Sequence, residues 1–206
     1  MSRRNNRQME TMRARIAAAA ARIMAEDGID DFALAKRKAA RSLGAAETES
    51  LPGNDEIEVE LRAYRELYQA EEHPERIAEL REVALEAMLE FEAFHPYLTG
   101  PVLKGTAGPY AEIELQLFPE SSKQVEMFLL ERNIQFDTQE ARRFSGDRVH
   151  PVSVYTLLWE DTPLKLSVFD PRDERVALKT SQAGRVMERA GISEVGTLLG
   201  LVRKDG

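Results

Sequence analysis

The sequence predicts an α+β protein: an N-terminal helical region of about four helices, then a small mixed or antiparallel sheet with flanking helices. Three observations carry this expectation. Apolar residues recur at helical spacing up to residue 94, the period switches to alternation after Pro96, and Gly and Pro punctuation thickens where it switches. The boundary therefore falls near 95, with 1–95 as the helical region and 96–206 as the α+β domain. The 206 residues are 43% hydrophobic and 31% charged, which suits a globular chain and excludes collagen-like and low-complexity classes. The absence of cysteine removes disulfides, thiolate metal sites and cysteine nucleophiles. No stretch is apolar enough to span a bilayer and no secretory h-region opens the chain, so a cytoplasmic protein with no membrane partner is expected.

Residues 8–27 read as the first helix, with Met12, Ile16, Ala19, Ile23 and Met24 on one stripe and Gly28 as its stop. A second helix covers about 31–43, with Phe32, Ala35, Ala39 and Leu43 on one side and Lys36, Arg37, Lys38 and Arg41 on the other. Residues 44–53 form a loop. Asn54 is positioned to cap a third helix striped by Ile57, Leu61, Tyr64 and Tyr68. Pro74 suits a helix start, and Ile77, Leu80, Ala84, Met88 and Phe91 carry that fourth helix to about 94.

After the Gly-rich stretch 97–108, AEIELQLF (Ala111–Phe118) alternates with the period of a half-buried strand. Ser121 and Gln124 form a capping box for a helix ending near Asn133, and 134–137 is a short strand. Residues 138–149 read as a loop with a basic patch, Arg142, Arg143 and Arg148. Strands at 152–160 and 164–169, with Trp159 in the core, flank a turn at Asp161-Thr162-Pro163. Two short helices, 181–190 and 193–202, end the chain.

Charge is uneven. Residues 1–45 carry ten Lys and Arg against five acids, residues 46–99 carry four against fifteen, and 100–206 carry fourteen against sixteen. A basic arm beside an acidic segment can pair within the molecule, across a homodimer or with a protein partner. It can also meet nucleic acid, although the net charge of −8 opposes that.

Chemistry concentrates in Val102–Leu117, VLKGTAGPYAEIELQL. On a strand, Glu112 and Glu114 project to one face while Ile113 and Leu115 project to the other. Two adjacent carboxylates repel unless a cation joins them. Mg²⁺ is such a cation and favours carboxylate and phosphate oxygens. A glycine turn nearby lets backbone N–H groups approach a phosphate, so the layout suits metal-assisted nucleotidyl transfer.

These residues resemble the core motif of the polymerase-beta-like nucleotidyltransferase superfamily over roughly 95–170, as a divergent member. The resemblance implies a nucleotidyltransferase-like domain. Glu112 and Glu114 would be the catalytic, Mg²⁺-binding pair. Gly105 and Thr106 would lie against a nucleoside triphosphate, with Lys104 or Lys123 offsetting its charge. The reaction would pass a nucleoside monophosphate to an acceptor with release of pyrophosphate. The chain departs from the family pattern in having Thr at 106, Glu rather than Asp at both acid positions, and a short spacing from Gly105 to Glu112. At the position of the third acid stands Lys165 or Ser167, flanked by Glu160 and Asp170. Those departures keep a second expectation open, a non-enzymatic interaction protein acting through its helical arm. Residues 21–44, ARIMAEDGIDDFALAKRKAARSLG, resemble the opening helices of helix-turn-helix repressors, which implies a third, a DNA-binding regulator acting through residues 8–43. His73, His95 and His150 each precede proline, as expected at element boundaries, with a general-base role open for His95 or His150.

Overall fold

The structure, a computed structural model, describes residues 2–29, 31–45, 51–145, 148–180, 184 and 186–201, with side chains from residue 9 onward. It is an α+β fold in two compact units, Met1–Arg76 with Thr106–Ala111, and Ile77–Gly105 with Glu112–Gly206. Among the described residues no helix is long and apolar enough to cross a membrane.

The first unit is built on α1 (Ser2–Asp27), α2 (Phe32–Ser42) and α3 (Asn54–Tyr68). Its core is rich in alanine: Ala17, Ala20, Ala21, Ala35, Ala39 and Ala40 are buried around Ile16, Met24, Ile57 and Leu61. Small side chains let the helix backbones approach closely, so a few large residues fill the seam. Asp31 caps α2, its carboxylate accepting from the N–H groups of Ala33 at 2.7 Å and Leu34 at 3.1 Å. The cap of α3 is Gly53 rather than Asn54. Glu56 reaches back to accept from the Gly53 N–H at 2.6 Å, which leaves the Asn54 side chain to accept from Lys36 at 2.7 Å. The helix α4 (Glu72–Glu90) carries Pro74 in its first turn and runs across the boundary between the units.

The second unit holds a mixed sheet of β1 (Tyr97–Thr99), β2 (Ile113–Leu117), β3 (Phe136–Ser145), β4 (Arg148–Trp159), β5 (Thr162–Val168) and β6 (Arg189–Ala190). The spatial order is β3-β4-β5-β2-β1-β6, with β2 and β5 parallel and every other pair antiparallel. One face is apolar. Leu98, Leu115, Leu166 and Tyr155 form a buried row across four strands. On this side Phe91, just past α4, meets Phe128 of α6 (Ser122–Glu131) and Trp159 of β4. The other face is mixed: Thr99, Glu114, Lys165 and Thr156 form a polar row, while Val152 and Val154 further back on β4 are buried in a second apolar cluster with Phe118, Phe169 and Leu178. Thr99 donates to the Glu188 carbonyl at 2.7 Å, so the chain approaching β6 passes over this face.

Several local expectations change. Most of 138–149 is strand: β3 runs to Ser145 and β4 starts at Arg148, so Arg142, Arg143 and Arg148 stand on a hairpin. The β4–β5 turn is Glu160-Asp161, with φ of 47° and 63°, the left-handed pair that a two-residue hairpin needs to match strand twist. In 181–190, residues 181–183 and 185 lie outside the described residues. Val186 bridges to Lys179, and Arg189–Ala190 pairs with β1, so non-local strand pairing displaces the helix expected there. The last helix is α7 (Ile192–Leu198), and residue 202 lies outside the described residues. The Gly-rich stretch 97–108 contains β1 and the short helix α5 (Gly100–Lys104), and Trp159 is half-buried.

Candidate functional site

Glu112 and Glu114 do meet at one cation, and that cation is a side chain. The parallel register sets Lys165 of β5 beside Glu114 of β2. Its Nζ lies 3.5 Å from Glu112 Oε1 and 3.6 Å from Glu114 Oε1. All three side chains are half-buried, with 28% of the Lys165 side chain exposed and 36% and 28% of the two glutamates. Burial pulls the Arg143 guanidinium below its ordinary pKa, and the charge of Glu114 opposes that shift.

The glycine that adjoins the acids is Gly100. It turns the chain from β1 into α5 at φ +72°, and a Cβ there would lie 2.9 Å from the Glu114 carboxyl. Thr99, one residue earlier, is the register partner of Glu114. A bare backbone at 100 therefore lets Glu114 lie against the β1–α5 turn.

The remaining predicted site residues are placed elsewhere. Gly105 closes α5 at φ +69°, at the carbonyl end of that helix. There Arg81 donates to the carbonyls of Val102 at 3.2 Å and Leu103 at 2.8 Å. A helix end that presents carbonyls and recruits a guanidinium is the opposite of a phosphate cradle, which presents N–H groups. Thr106 is buried and opens the 106–111 stretch of the other unit. Lys104 is the last residue of α5. Lys123 sits in the first turn of α6 with an exposed side chain, its backbone N–H given to Ser121 Oγ at 3.3 Å.

The pair as it stands does not fit a resident divalent ion. Mg²⁺ demands near-octahedral oxygen ligands at about 2.0–2.1 Å. Here an ammonium stands within ion-pair reach of both carboxylates, and among the described residues no group of three or more His, Asp or Glu side chains is arranged to hold a metal.

A second polar cluster escaped the sequence reading. His150 on β4 is buried, and its Nδ1 lies 2.8 Å from Asp173 Oδ1 in the 3-10 turn Pro171–Arg175. The neighbouring Glu174 accepts from the Tyr97 hydroxyl at 2.8 Å and faces His95 Nδ1 at 3.3 Å. Arg189 lies over the Tyr97 ring at 4.7 Å. These contacts tie the turn to β4, β1 and β6, joining residues too far apart in sequence for any spacing motif to reveal. The proline after His95 marked an element edge, whereas His150-Pro151 lies inside β4 rather than at its start, and neither step carried a hint of these partners. Compared with known proteins, the chain matches no family model, no curated protein and no solved structure.

Proposed function

We propose that this chain is a non-catalytic binding protein in which the acidic pair serves the fold. The observation that carries this reading is Lys165, whose ammonium stands between Glu112 and Glu114 where a catalytic site would need a metal. Use of the basic side chains inside the first unit supports it as well. Lys36 and Lys38 of α2 are held by Asn54 and Asp27, which removes half of the basic face that a DNA-binding helix would present. The test is pyrophosphate release from each of the four nucleoside triphosphates with Mg²⁺, alongside calorimetric titration of the same mixtures. Neither turnover nor heat is expected. Release that disappears in Glu112→Gln would overturn the reading.

One observation favours a second reading, Mg²⁺-dependent nucleotidyl transfer. The two carboxylates do converge, and Gly100 lays bare backbone against Glu114. Lys165 would then have to leave the pair for a metal to enter, and the pyrophosphate assay distinguishes the two readings.

A further inference from the structure

A groove of about 900 Å³ opens where the end of α6 and the following turn face the β4–β5 hairpin. Its lining is mixed: Leu130, Ile134, Phe136, Leu157, Leu158 and Pro163 supply the apolar part, and Asn133, Gln135, Asp137 and Thr156 the polar part. Two of these are far more open than core leucines, Leu130 at 59% and Leu158 at 65% exposure. Met127, one helical turn before Leu130, extends the apolar surface at 58% exposure. Leucines this exposed on both walls of one concavity mark a surface built to be covered.

The rim says by what. Glu126 and Glu131 stand on the helix wall, Asp137 at the start of β3, and Glu160 with Asp161 at the hairpin tip, all of them exposed. The nearest base on the helix wall, Arg132, is bound to Glu90 and lies over the Phe128 ring at 4.2 Å. Lys123 is two turns further up α6. An apolar floor within an acidic rim complements a helix with leucine-like residues at i, i+3 or i+4 and i+7 and with lysine or arginine on its flanks. Strand addition is the poorer fit. The edge strand β3 is bridged at Phe144 by Lys179, and the rest of it is charged and exposed through Asp137, Glu140 and Arg142, as protected edges are.

We infer that this groove docks a basic amphipathic helix of a partner protein. The inference rests on the reading of the chain as a binding protein and names the chemistry of what it binds.

The probe is a labelled synthetic helix of ~14 residues with leucines at that spacing and lysines elsewhere; its twin keeps the leucines and replaces the lysines with glutamates. Fluorescence anisotropy with the full chain reads the affinity. The lysine peptide is expected to bind at least about tenfold more tightly than its twin. Leu130→Ser with Leu158→Ser should weaken it about tenfold or more. Glu131→Lys with Glu160→Lys should abolish the preference, while Glu66→Lys with Glu71→Lys, an equal charge change at exposed positions of the other unit, should leave it largely intact. All six substituted positions are surface positions, so thermal unfolding of each variant is expected to stay near wild type. Equal binding of both peptides would overturn the proposal. So would affinity unmoved by the leucine variants, or a loss of preference equally deep in the control variant. Self-association of the chain that Leu130→Ser abolishes, or its partition onto phosphatidylcholine vesicles through the same leucines, would assign the groove to a second copy or to lipid and overturn it too. None of these results bears on pyrophosphate release, so failure of the groove leaves the reading of Lys165 standing.

Discussion

Lys165 is the residue on which the acidic pair depends. Each of its two contacts is a half-exposed ion pair, worth on the order of 0–1 kcal/mol on its own. Removing the ammonium also leaves two like charges on adjacent positions of one strand face, so Lys165→Met is expected to cost about 1–2 kcal/mol. The same variant should regain stability when Mg²⁺ is added, because a divalent ion can then enter between the carboxylates, whereas wild type should not respond. Thermal unfolding with and without Mg²⁺ decides this, and an equal response of both proteins would show that the lysine is not the counterion. Gly100 is the second sensitive position. Forcing an L-residue into left-handed backbone costs about 1–2 kcal/mol by itself. At Gly44 (φ +70°) nothing stands near a new Cβ, so Gly44→Ala should cost only that. At Gly100 the Glu114 carboxyl must move as well, pulling away from Lys165, so Gly100→Ala should cost on the order of 2–3 kcal/mol. Chemical denaturation of the two variants provides the comparison.

Between elements, one ion pair ties α1 to α3. Arg13 Nε lies 2.9 Å from Glu56, and this bond first, then the Gly53 N–H, holds the Glu56 carboxyl below the usual carboxylate range. A carboxyl whose pKa is lowered by folding stabilises the native state above its unfolded value, about 4.3 for Glu. That contribution is lost as the pH falls through the lower folded value. Glu56→Gln should therefore destabilise the protein near neutrality and differ progressively less from wild type on acidification. Urea unfolding at about pH 6 and about pH 3 measures the gap, and a gap that stays constant would rule the linkage out. The helices of the first unit were legible because each carries its own apolar stripe, although α1 begins at Ser2, ahead of its stripe, and the cap of α3 falls one residue before Asn54. AEIELQL was legible for the same local reason, as period-two alternation. The strand β3 was not: FDTQEARRFS has few apolar residues and no alternation, and it is a strand because β4 pairs along its whole length. The site was half legible. That Glu112 and Glu114 share a face follows from their spacing, but the identity of their cation depends on a parallel pairing that brings Lys165 across 53 residues of chain. Gly105 was singled out over Gly100 because only the fold shows which glycine the acids touch.

At the scale of the whole molecule, the first unit has a buried cluster of its own although the chain passes between the units three times, within α4 and at either end of 106–111. The apolar cluster of α1, α2 and α3 contains no side chain from the sheet. Hydrophobic burial is the main term opposing chain entropy, so a unit with its own buried cluster has its own cooperative transition. The single tryptophan, Trp159, lies in the sheet unit, and its fluorescence reports that unit alone. Far-ultraviolet circular dichroism, by contrast, weighs the long helices of the first unit heavily. Ile57 and Leu115 are both fully buried, one in each unit, so truncation of either to alanine should cost about 2–5 kcal/mol. Ile57→Ala should move the dichroism midpoint in urea and leave the tryptophan midpoint where it is. Leu115→Ala should move the tryptophan midpoint and leave a helical transition at its wild-type position. If each variant instead shifted both probes by the same amount, the continuous helix α4 would be coupling the units into one folding transition, and the first unit's cluster would not be separate in energy.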